Sequence, residues 1–419
     1  MLTDPFHYRR GKLYCDGVDL ESAVAVHGTP SYIYSLDAIL TRYRAYETAL
    51  SGLDHQVHFA VKANSTLAIL HALAAEGAGF DIVSGGELHR VLTAGGDPSK
   101  VVFSGVGKTP DEIRFGLERS IHSFNCESET EIDLISEVAA SLHRTASIAL
   151  RVNPDVDAVT HPYISTGLKE HKFGVDIEEA EEIYVRAASL PNIELNGVSC
   201  HIGSQLLDID PLLEAADKTL ELVTRLRSRG LPITHLDLGG GLGVGYRPGD
   251  IAMTVGDLMN RLRPKLAGLK LKVMFEPGRS IVAEAGALLT RVLLIKKNGA
   301  KTFVIVDAAM NDLIRPALYQ AHHEIVPVCQ PVTDNRLIAD VVGPVCESGD
   351  FFARGRDLPE LKAGDLLAIK TAGAYGFVLA SNYNSRPRAC ELLIKNDHVY
   401  TIRQRETYED LVRGESVCV

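Results

Sequence analysis

Several features are missing from this sequence, and each absence narrows what the protein can be. Its seven cysteines are scattered and contain no CxxC pair, which disfavours a disulfide framework or a zinc site and predicts a reducing, cytoplasmic setting. Its fifteen histidines form no HExxH-type cluster, so no metal site is predicted. No apolar run is long enough to cross a bilayer, so we expect no membrane association.

An excess of basic residues is missing as well. The chain has 43 Lys and Arg residues against 54 Asp and Glu residues, a net charge of −11. This balance argues against nucleic acid as a partner, although a local pocket for a small anion stays open. The first residues, MLTDPFHYRRGKLYCDG, contain no apolar segment of the signal-peptide kind, so we expect no secretion signal.

What the sequence does contain is a repeated alternation of short strands and helices. With 419 residues, 46% of them hydrophobic, the chain is long enough for two domains with sizeable cores. Eight β-rich runs followed by helical stretches predict a parallel (β/α)8 TIM-like barrel. The runs lie at residues 57–64, 80–87, 101–108, 122–128, 147–155, 195–204, 234–243 and 272–280.

The pattern changes near residue 285. Later runs such as KTFVIVDA, NRLIADVVGP and CELLIKNDHVYTI are β-rich and separated by Gly, Asn and Asp turns, and long helical patterns are scarce. We therefore expect an α/β barrel over residues 30–285. A β-rich sandwich or barrel domain would comprise residues 286–419, joined by residues 1–29.

Helix starts between the strands carry their own signals. Ser84–Glu87, Thr109–Glu112 and Ser128–Glu131 have the capping-box pattern. Asp210 followed by Pro211 predicts an N-cap and a proline in the first helical position.

Side chains with chemical potential follow most of the barrel strands. In such barrels the carboxyl ends of the strands face the active site. The first strand is predicted to end on Lys62, and Glu276 and Arg279 follow the eighth. Between them along the chain come Asn64, Asp81, Ser84, Asn125, Arg151, Asn153, His201, Ser204 and Gly239–Gly241.

The stretch DLGGGLGVG favours a phosphate site over a dinucleotide site. A GxGxxG fingerprint belongs at the start of a Rossmann unit, whereas this stretch lies late in a barrel pattern, where loops after strands 7 and 8 commonly hold a phosphate. A phosphate site beside a lysine, a histidine and a carboxylate predicts pyridoxal phosphate. Lys62 would attach it, His201 would face its ring, and Glu276 would keep its ring nitrogen protonated.

Six motifs together resemble the fold-type III pyridoxal-phosphate decarboxylases, which have an alanine racemase-like fold. They are FAVKAN, CHIGSQ, LGGGLG, EPGRS, CESGD and GAYGF. FSGVGKT, HKFGV and MNDLIRPALYQAHHEI are more similar to the members that act on diaminopimelate than to those that act on ornithine or arginine. The resemblance extends from about residue 30 to about residue 390.

The resemblance implies a role for each matching residue. Lys62, His201 and Cys346 would be catalytic, with Lys62 bound to pyridoxal phosphate and Cys346 as the proton donor. Further cofactor contacts would come from Ser204, Gly240, Gly241, Glu276, Gly278, Arg279 and Tyr375. The amino-acid substrate would contact Arg279, Arg315, Tyr319, Glu347 and Tyr375.

The implied reaction is decarboxylation of meso-2,6-diaminopimelate to L-lysine and carbon dioxide, the last step of lysine synthesis. Arg279 and Arg315 would pair with the carboxylate at the far end of the substrate, and Glu347 with the far ammonium group, so that one end alone reacts. The resemblance also implies a homodimer with shared active sites, in which Cys346, Glu347 and Tyr375 enter the site of the partner.

Three other functions stay open. A racemase of the same fold is disfavoured because such enzymes place an arginine at the position of Glu276. A decarboxylase for ornithine, lysine, carboxynorspermidine or carrier-linked glutamate is disfavoured less strongly, by the motifs around Arg315 and Tyr319. A non-catalytic pyridoxal-phosphate protein is disfavoured because Lys62 and Cys346 are both present and a β-rich domain follows the barrel.

Overall fold

The computed structural model describes residues 4–156 and 172–418, which form two compact units. The barrel unit comprises residues 43–244 and 251–280, and the sheet unit comprises residues 1–42, 245–250 and 281–419. His171, the first residue of the HKFGV motif, lies outside the described residues.

Strands and helices are numbered along the chain. The strands are β1 Phe6–Arg9, β2 Lys12–Cys15, β3 Val18–Asp19, β4 Ser31–Ser35, β5 His55–Ala60, β6 Gly79–Ile82, β7 Val101–Phe103, β8 Ser123–Cys126, β9 Ala146–Asn153, β10 Val175–Asp176, β11 Ile193–Cys200, β12 His235–Asp237, β13 Lys272–Phe275, β14 Gly286–Asn298, β15 Lys301–Val306, β16 Ile325–Pro327, β17 Arg336–Val342, β18 Phe351–Pro359, β19 Leu366–Ile369, β20 Cys390–Lys395 and β21 His398–Arg403. The α-helices are α1 Leu20–His27, α2 Leu36–Leu50, α3 Leu67–Ala75, α4 Gly85–Thr93, α5 Pro110–Glu118, α6 Glu129–Ser141, α7 Ile177–Ala187, α8 Asp210–Ser228, α9 Val255–Leu266, α10 Arg279–Val282, α11 Arg315–Tyr319 and α12 Tyr408–Leu411.

Eight parallel strands of the barrel unit close on themselves. Their order is β5-β6-β7-β8-β9-β11-β12-β13, and β13 pairs with β5 to complete the ring. Each of the eight predicted runs supplies one of these strands, so the (β/α)8 prediction is confirmed. The short β10 is an addition, paired in parallel with β9 outside the ring.

The barrel strands have an aromatic outer face and a polar inner face, because successive side chains point to opposite sides. Phe124 packs outward, since a Cβ added to Gly116 of α5 would lie 2.9 Å from its ring. The next residue, Asn125, points inward, and its Nδ2 reaches Asp237 Oδ2 on a non-adjacent strand at 3.3 Å. Phe103 is aligned with Phe124 in the register of β7 and β8, and Phe59 and Phe80, aligned with each other on β5 and β6, share this outer face.

The sheet unit has the β-rich structure predicted for the C-terminal part of the chain. Its main sheet follows the order β18-β17-β15-β14-β4-β20-β21, with β19 on β14 and β16 on β19. A small sheet, β1-β2-β3, shares a core with the main sheet, in which Leu13 of β2 and Ile33 of β4 are both buried. Residues 31–35, grouped with the barrel by the sequence, form strand β4 of the main sheet. None of the helices in the described ranges has the length and apolarity needed to span a membrane.

Candidate active site

The predicted reactive lysine lies just beyond the first barrel strand. β5 ends at Ala60 rather than on Lys62, which occupies a short 3-10 turn over Val61–Ala63. The register of β5 and β6 aligns Ala60 with Asp81, and this brings the Asp81 carboxylate to the Lys62 amine as an ion pair. The Lys62 side chain is 37% exposed and that of Asp81 is fully buried. The lysine is therefore accessible from outside, whereas the carboxylate that pairs with it is not.

The glycines after β12 and β13 are explained by close packing. A Cβ on Gly240 would lie 2.4 Å from the carbonyl oxygen of Glu276, and one on Gly278 would lie 2.8 Å from the Cβ of Ala63. Gly241 has φ +112°, a conformation that favours glycine. The absence of side chains therefore lets the loop after β13 reach the turn that carries Lys62. Whether Gly240 and Gly241 also hold a phosphate stays a prediction.

The loop after β11 is paired with the glycine loop after β12. The amide of Leu206 donates to Gly241 O at 2.9 Å, and the amide of Gly243 donates to Leu206 O at 2.8 Å. The side chain of Gln205 bonds both the amide and the carbonyl of Val244. These bonds give the loop that carries His201 and Ser204 a fixed frame.

Ser204 and Arg279 form a hydrogen-bonded pair whose chemistry suits an anion. Arg279 Nη2 donates to Ser204 Oγ at 3.0 Å, and Arg279 is only 7% exposed. A buried guanidinium beside a hydroxyl supplies the charged and neutral donors that a phosphate group accepts.

His201 is held as a neutral ring. The amide of Gly240 donates to its Nδ1 at 3.2 Å, so this nitrogen acts as the acceptor. Burial lowers the pKa of His201 well below its usual range, and the positive charges of Arg151 and Lys62 act in the same direction. A flat, uncharged imidazole at this position is suited to contact with an aromatic ring.

Glu276 belongs to a group of buried polar side chains. Asn125 Nδ2 lies 3.2 Å from Glu276 Oε1 and 3.3 Å from Asp237 Oδ2, and the amide of Gly239 donates to Asp237 Oδ1 at 2.8 Å. Burial raises the pKa of Glu276 well above its usual range, and Asp237 and Asp81 raise it further. Burial also raises the pKa of Asp237. The barrel therefore concentrates carboxyl groups beside Lys62.

A second buried ion pair supports the backbone at His201. Arg151 Nη1 donates to Glu127 Oε1 at 2.9 Å, and its Nη2 donates to His201 O at 3.3 Å. The other Glu127 oxygen accepts from the amide of Gly174 at 2.7 Å. Both charged groups are almost completely buried, so this pair is a fixed part of the barrel rim.

The predicted substrate residue Arg315 lies in the sheet unit and is 5% exposed. Its Nη1 lies 3.0 Å from His323 Nε2, and its Cζ stands 4.5 Å from the centre of the Tyr246 ring. His323 Nδ1 lies 2.8 Å from Lys370 O; a proton there leaves Nε2 as the acceptor for Arg315. Tyr319 is partly exposed at the end of the same short helix, α11.

The CESGD loop presents exposed side chains, two of them at predicted site residues, on a buried support. Cys346 and Glu347 are exposed, whereas Asp350 is 4% exposed and accepts from the amides of Met310 and Val345, each at 2.7 Å. The aspartate therefore shapes the turn that displays the cysteine and the glutamate.

Tyr375 has a strained backbone. Its φ is +54°, which is uncommon for a bulky residue, and the side chain is partly buried. Gly373 nearby has no room for a side chain, since its Cβ would lie 1.9 Å from Val282 O. Strain of this kind is often found at functional sites and agrees with a functional position for Tyr375.

The predicted site residues thus form two groups, each within one unit. The barrel unit brings together its group along the rim formed by the carboxyl ends of the strands: Lys62, His201, Ser204, Gly240, Gly241, Glu276, Gly278 and Arg279. The sheet unit carries Arg315, Tyr319, Cys346, Glu347 and Tyr375. Their individual roles stay predictions.

Sequence reasoning gave no role to several residues that the structure places around these groups. Asp81 and Asn125 were noted only as residues near strand ends, and Asp237 was not singled out. Its place two residues before the first glycine of LGGGLG was the available signal. Tyr246 and His323, which hold Arg315, gave no signal, because they meet it only in the folded unit.

The barrel group fits pyridoxal phosphate. It contains an amine, an arginine–serine pair for a phosphate, a neutral imidazole and a buried carboxyl group, which are the partners that this cofactor requires. Asp81 Oδ1 and Asn125 Oδ1 are buried acceptors without a hydrogen-bond partner among the described residues, which is rare unless a further group supplies a donor.

Comparisons with known proteins agree with this chemistry. The family model of the pyridoxal binding domain of pyridoxal-dependent decarboxylases matches residues 36–283. Diaminopimelate decarboxylase of Pseudomonas aeruginosa is 56% identical over 414 residues, which cover 99% of each chain. The corresponding protein of Vibrio cholerae is 48% identical and is also covered to 99%.

Solved structures extend the likeness to both units. Diaminopimelate decarboxylase of M. jannaschii in complex with L-lysine has a TM-score of 0.94 at 40% identity and covers 100% of this chain and 99% of its own. That of Helicobacter pylori with L-lysine has a TM-score of 0.90 at 45% identity, over 94% and 98% of the two chains.

Proposed function

The chain belongs to the diaminopimelate decarboxylase group of the pyridoxal-dependent decarboxylases, and on that premise we propose how its residues convert meso-2,6-diaminopimelate to L-lysine and carbon dioxide. This conversion would be the last step of lysine synthesis. The observation that carries the proposal is the rim of the barrel, where Lys62, Glu276 and the Ser204–Arg279 pair stand together in a chain similar to its relatives over nearly its full length.

The cofactor would be held by residues of the barrel rim. Lys62 would bind it through the Nζ amine, Arg279 and Ser204 would bind its phosphate, and Glu276 would bind its ring nitrogen. His201 would lie against the ring as a neutral imidazole. The remaining contacts are assigned to Gly240, Gly241, Gly278 and Tyr375. When bound, pyridoxal phosphate supplies the electron sink that makes loss of a carboxylate possible.

The residues of the chain orient the substrate and move protons. The Lys62 amine is paired with Asp81, which would position it toward the cofactor and favour a proton on Nζ whenever the amine is free. The Cys346 thiol would deliver the proton that replaces the lost carboxylate. Its exposure is consistent with a site shared between two chains.

Substrate selection is assigned to charged groups around the far end of the molecule. Arg279 and Arg315 would pair with the distal carboxylate, and Glu347 would pair with the distal ammonium. Tyr319 and Tyr375 would contact the remaining part of the chain. A substrate without a distal carboxylate could not form these charge-assisted hydrogen bonds with the two guanidinium groups, so it should bind more weakly.

We further propose a cytoplasmic homodimer in which each active site uses both chains. The barrel domain of residues 30–285 would supply the cofactor site, and residues 1–29 and 286–419 would complete the site of the partner. We assign Cys346, Glu347 and Tyr375 as the residues that enter the active site of the partner.

Mixing two inactive variants tests the shared site. Lys62→Ala and Cys346→Ala proteins, unfolded and refolded together, would form mixed dimers with one intact site, and about a quarter of the native activity would return. Each variant refolded alone is the control. If the mixture stays inactive while native protein recovers, the lysine and the cysteine of one site come from the same chain.

The activity itself is tested with purified protein and added pyridoxal phosphate. We expect meso-2,6-diaminopimelate to give equal amounts of L-lysine and carbon dioxide. Ornithine and L-lysine, offered separately, should release little carbon dioxide, since neither has a distal carboxylate. Turnover of ornithine or L-lysine without lysine formation from diaminopimelate would contradict the substrate assignment.

A further inference from the structure

We propose that Asp237 and Glu276 share one proton, and that Asp237 is the positioning residue for Glu276. The inference rests on the proposed function only for the use of Glu276 toward the cofactor ring. It goes beyond that function by assigning a role to Asp237, which is fully buried and for which the described part of the chain shows no ion pair.

The geometry brings two buried carboxyl groups to the same amide. Asp237 ends β12 and Glu276 follows β13, the adjacent barrel strand, and Asn125 Nδ2 lies 3.3 Å from Asp237 Oδ2 and 3.2 Å from Glu276 Oε1. An ionised carboxylate accepts hydrogen bonds and has no proton to donate. Two ionised groups that share one amide donor in a buried site would repel each other strongly, and one shared proton removes that repulsion.

The surrounding groups leave one negative charge on the pair. Asn125 Nδ2 donates to Asp237 at 3.3 Å and to Glu276 at 3.2 Å, and Gly239 N donates to Asp237 at 2.8 Å. Each of these donors is neutral. The Lys62 amine, whose positive charge acts on Glu276, is itself paired with Asp81.

Other titratable groups do not remove the need for the shared proton. Asp81 adds negative charge near both members of the pair, and the thiol of Cys200 lies close to Asp237. Burial raises the pKa of Cys200 to about 12, so this thiol is neutral near pH 7. With a single shared proton, the two carboxyl groups carry one negative charge between them. The Asn125 amide, which reaches both groups, fixes their positions.

This arrangement gives Glu276 two properties that a lone buried glutamate would lack. Its carboxyl group is fixed in orientation by Asp237 and Asn125. The pair can also keep one negative charge facing a ring nitrogen, because the shared proton relieves the repulsion from Asp237. Asp237 acts through Glu276 and is assigned no contact with substrate or cofactor.

Infrared spectroscopy of the full chain tests the shared proton directly. At pH 9, above the pKa of about 7 to which burial raises Glu87 and the pKa of about 6 to which it raises Asp312, we expect the carbonyl stretch of one protonated carboxylic acid above the amide band. The measurement is made on the protein as purified and after removal of the cofactor. Asp237→Asn and Glu276→Gln each place a permanent amide donor in the pair, so each should lose the band. Glu87→Gln, at another carboxyl group whose pKa is raised by burial, is the matched control and should keep it.

The outcomes separate this inference from the proposed function. Absence of the band in the native protein, or its survival in Asp237→Asn, would overturn the shared proton whatever the activity. Absence of decarboxylation with the band behaving as expected would overturn only the function.

Cofactor binding adds a second readout. Asp237→Asn should bind pyridoxal phosphate within a few-fold of the native protein, because the amide still bonds Glu276 and Gly239. Asp237→Ala should raise the dissociation constant about 10- to 100-fold, because it removes the carboxyl group that shares the proton with Glu276 and leaves Asn125 alone to orient it. Equal dissociation constants for the native protein and Asp237→Ala would overturn the positioning role.

Discussion

At the scale of single residues, Asp81 shows how a buried charge fixes a reactive group. It is fully buried on β6 and pairs with the Lys62 amine, which stands on a turn beside the strand end. An ion pair with one buried member is screened by water less than a surface pair, so it restrains the position of the lysine side chain more strongly. The order of residues along the chain indicates Lys62, but only the register that aligns Ala60 with Asp81 reveals the partner.

Replacing the lysine should abolish covalent attachment of the cofactor. In Lys62→Ala we expect no gain of mass after treatment with pyridoxal phosphate and borohydride. Borohydride makes the imine between a lysine amine and the cofactor permanent, and this variant has no amine at the site to form that imine. Native protein should gain one cofactor per chain, as measured by mass spectrometry. Lys100→Ala, whose amine bonds Gly77 O instead, is the control and should behave as native. An adduct that persists in Lys62→Ala would show that another residue binds the cofactor.

Arg315 should be sensitive even to a conservative change. Lysine at this position keeps the charge but loses the planar group that bonds His323 and stacks on Tyr246, so we expect Arg315→Lys to raise KM for meso-2,6-diaminopimelate about 10- to 100-fold. Steady-state kinetics measure the effect, with Arg354→Lys, an exposed arginine stacked on Phe351, as the matched control. An unchanged KM in Arg315→Lys would remove this arginine from substrate binding.

At the scale of elements, the helix starts behind the barrel rim are of two kinds. Thr109 and Glu112 form a reciprocal capping box, as predicted. At Ser128 the predicted pattern is only half formed: its Oγ accepts from the amide of Glu131, but the Glu131 carboxylate bonds the amide of Glu127, one residue earlier. The other Glu131 oxygen bonds the buried amine of Lys108. One glutamate thus joins two helix starts.

Removing that glutamate should be costly. Lys108 and Glu131 have side chains that are 1% and 9% exposed. Glu131→Ala would remove the carboxylate and leave the amine, within the described ranges, the carbonyls of Gly105 and Asn125. We expect a loss of about 3 kcal/mol in the free energy of unfolding, measured with urea. Glu129→Ala, an exposed residue of the same helical turn, should cost less than about 1 kcal/mol. Equal losses in the two variants would contradict this reading of the pair.

The sequence predicts elements better than their exact limits and their long-range partners. All eight barrel strands were predictable, because alternation and capping are local properties of the chain. Errors occur at the ends: Lys62 lies beyond β5, and Asp210 is the first residue of α8 rather than its cap, since Asp208 Oδ1 already bonds its amide at 3.0 Å. The grouping of Asp237 with Glu276 was not predictable, because it depends on the register of closed strands.

At the scale of the whole molecule, the two ends of the barrel interior differ in chemistry. The end away from the proposed site contains three histidines, His58, His122 and His235, with ring centres 6.4 Å and 5.5 Å apart along the row. Each has a ring nitrogen without a hydrogen-bond partner among the described residues. Burial lowers the pKa of all three, and that of His235 falls to about 3. The positive charges of Lys272 and, for His58, Lys100 act in the same direction.

The three histidines should make the fold sensitive to acid. In the unfolded chain each titrates near pH 6.5, whereas in the folded chain each stays neutral to lower pH, so their stabilising contribution is complete above 6.5 and declines as the pH falls below it. We expect up to about 1.4 kcal/mol lost per histidine for each pH unit below 6.5. Urea unfolding at pH 7.5 and 5.5 measures the effect.

A pair of variants identifies the source of this acid sensitivity. His235→Gln should lose less stability than the native protein between these pH values, because one buried titrating group is gone. His398→Gln, at a side chain that is 72% exposed, should match the native protein. The same pH dependence in all three proteins would place the sensitivity elsewhere.

The closure of the barrel has a consequence for biosynthesis of the chain. The ring is completed only when Phe275 of β13 pairs beside Val57 of β5, and Gly278 then packs on the turn that carries Lys62. A nascent chain still lacking β13 on the ribosome has seven strands with two open edges and no cofactor cradle. Such long-range closure is a slow step of folding. We therefore expect the cofactor to bind only after most of the chain has been translated. It would then stabilise a barrel that has already folded and would not help to nucleate its folding.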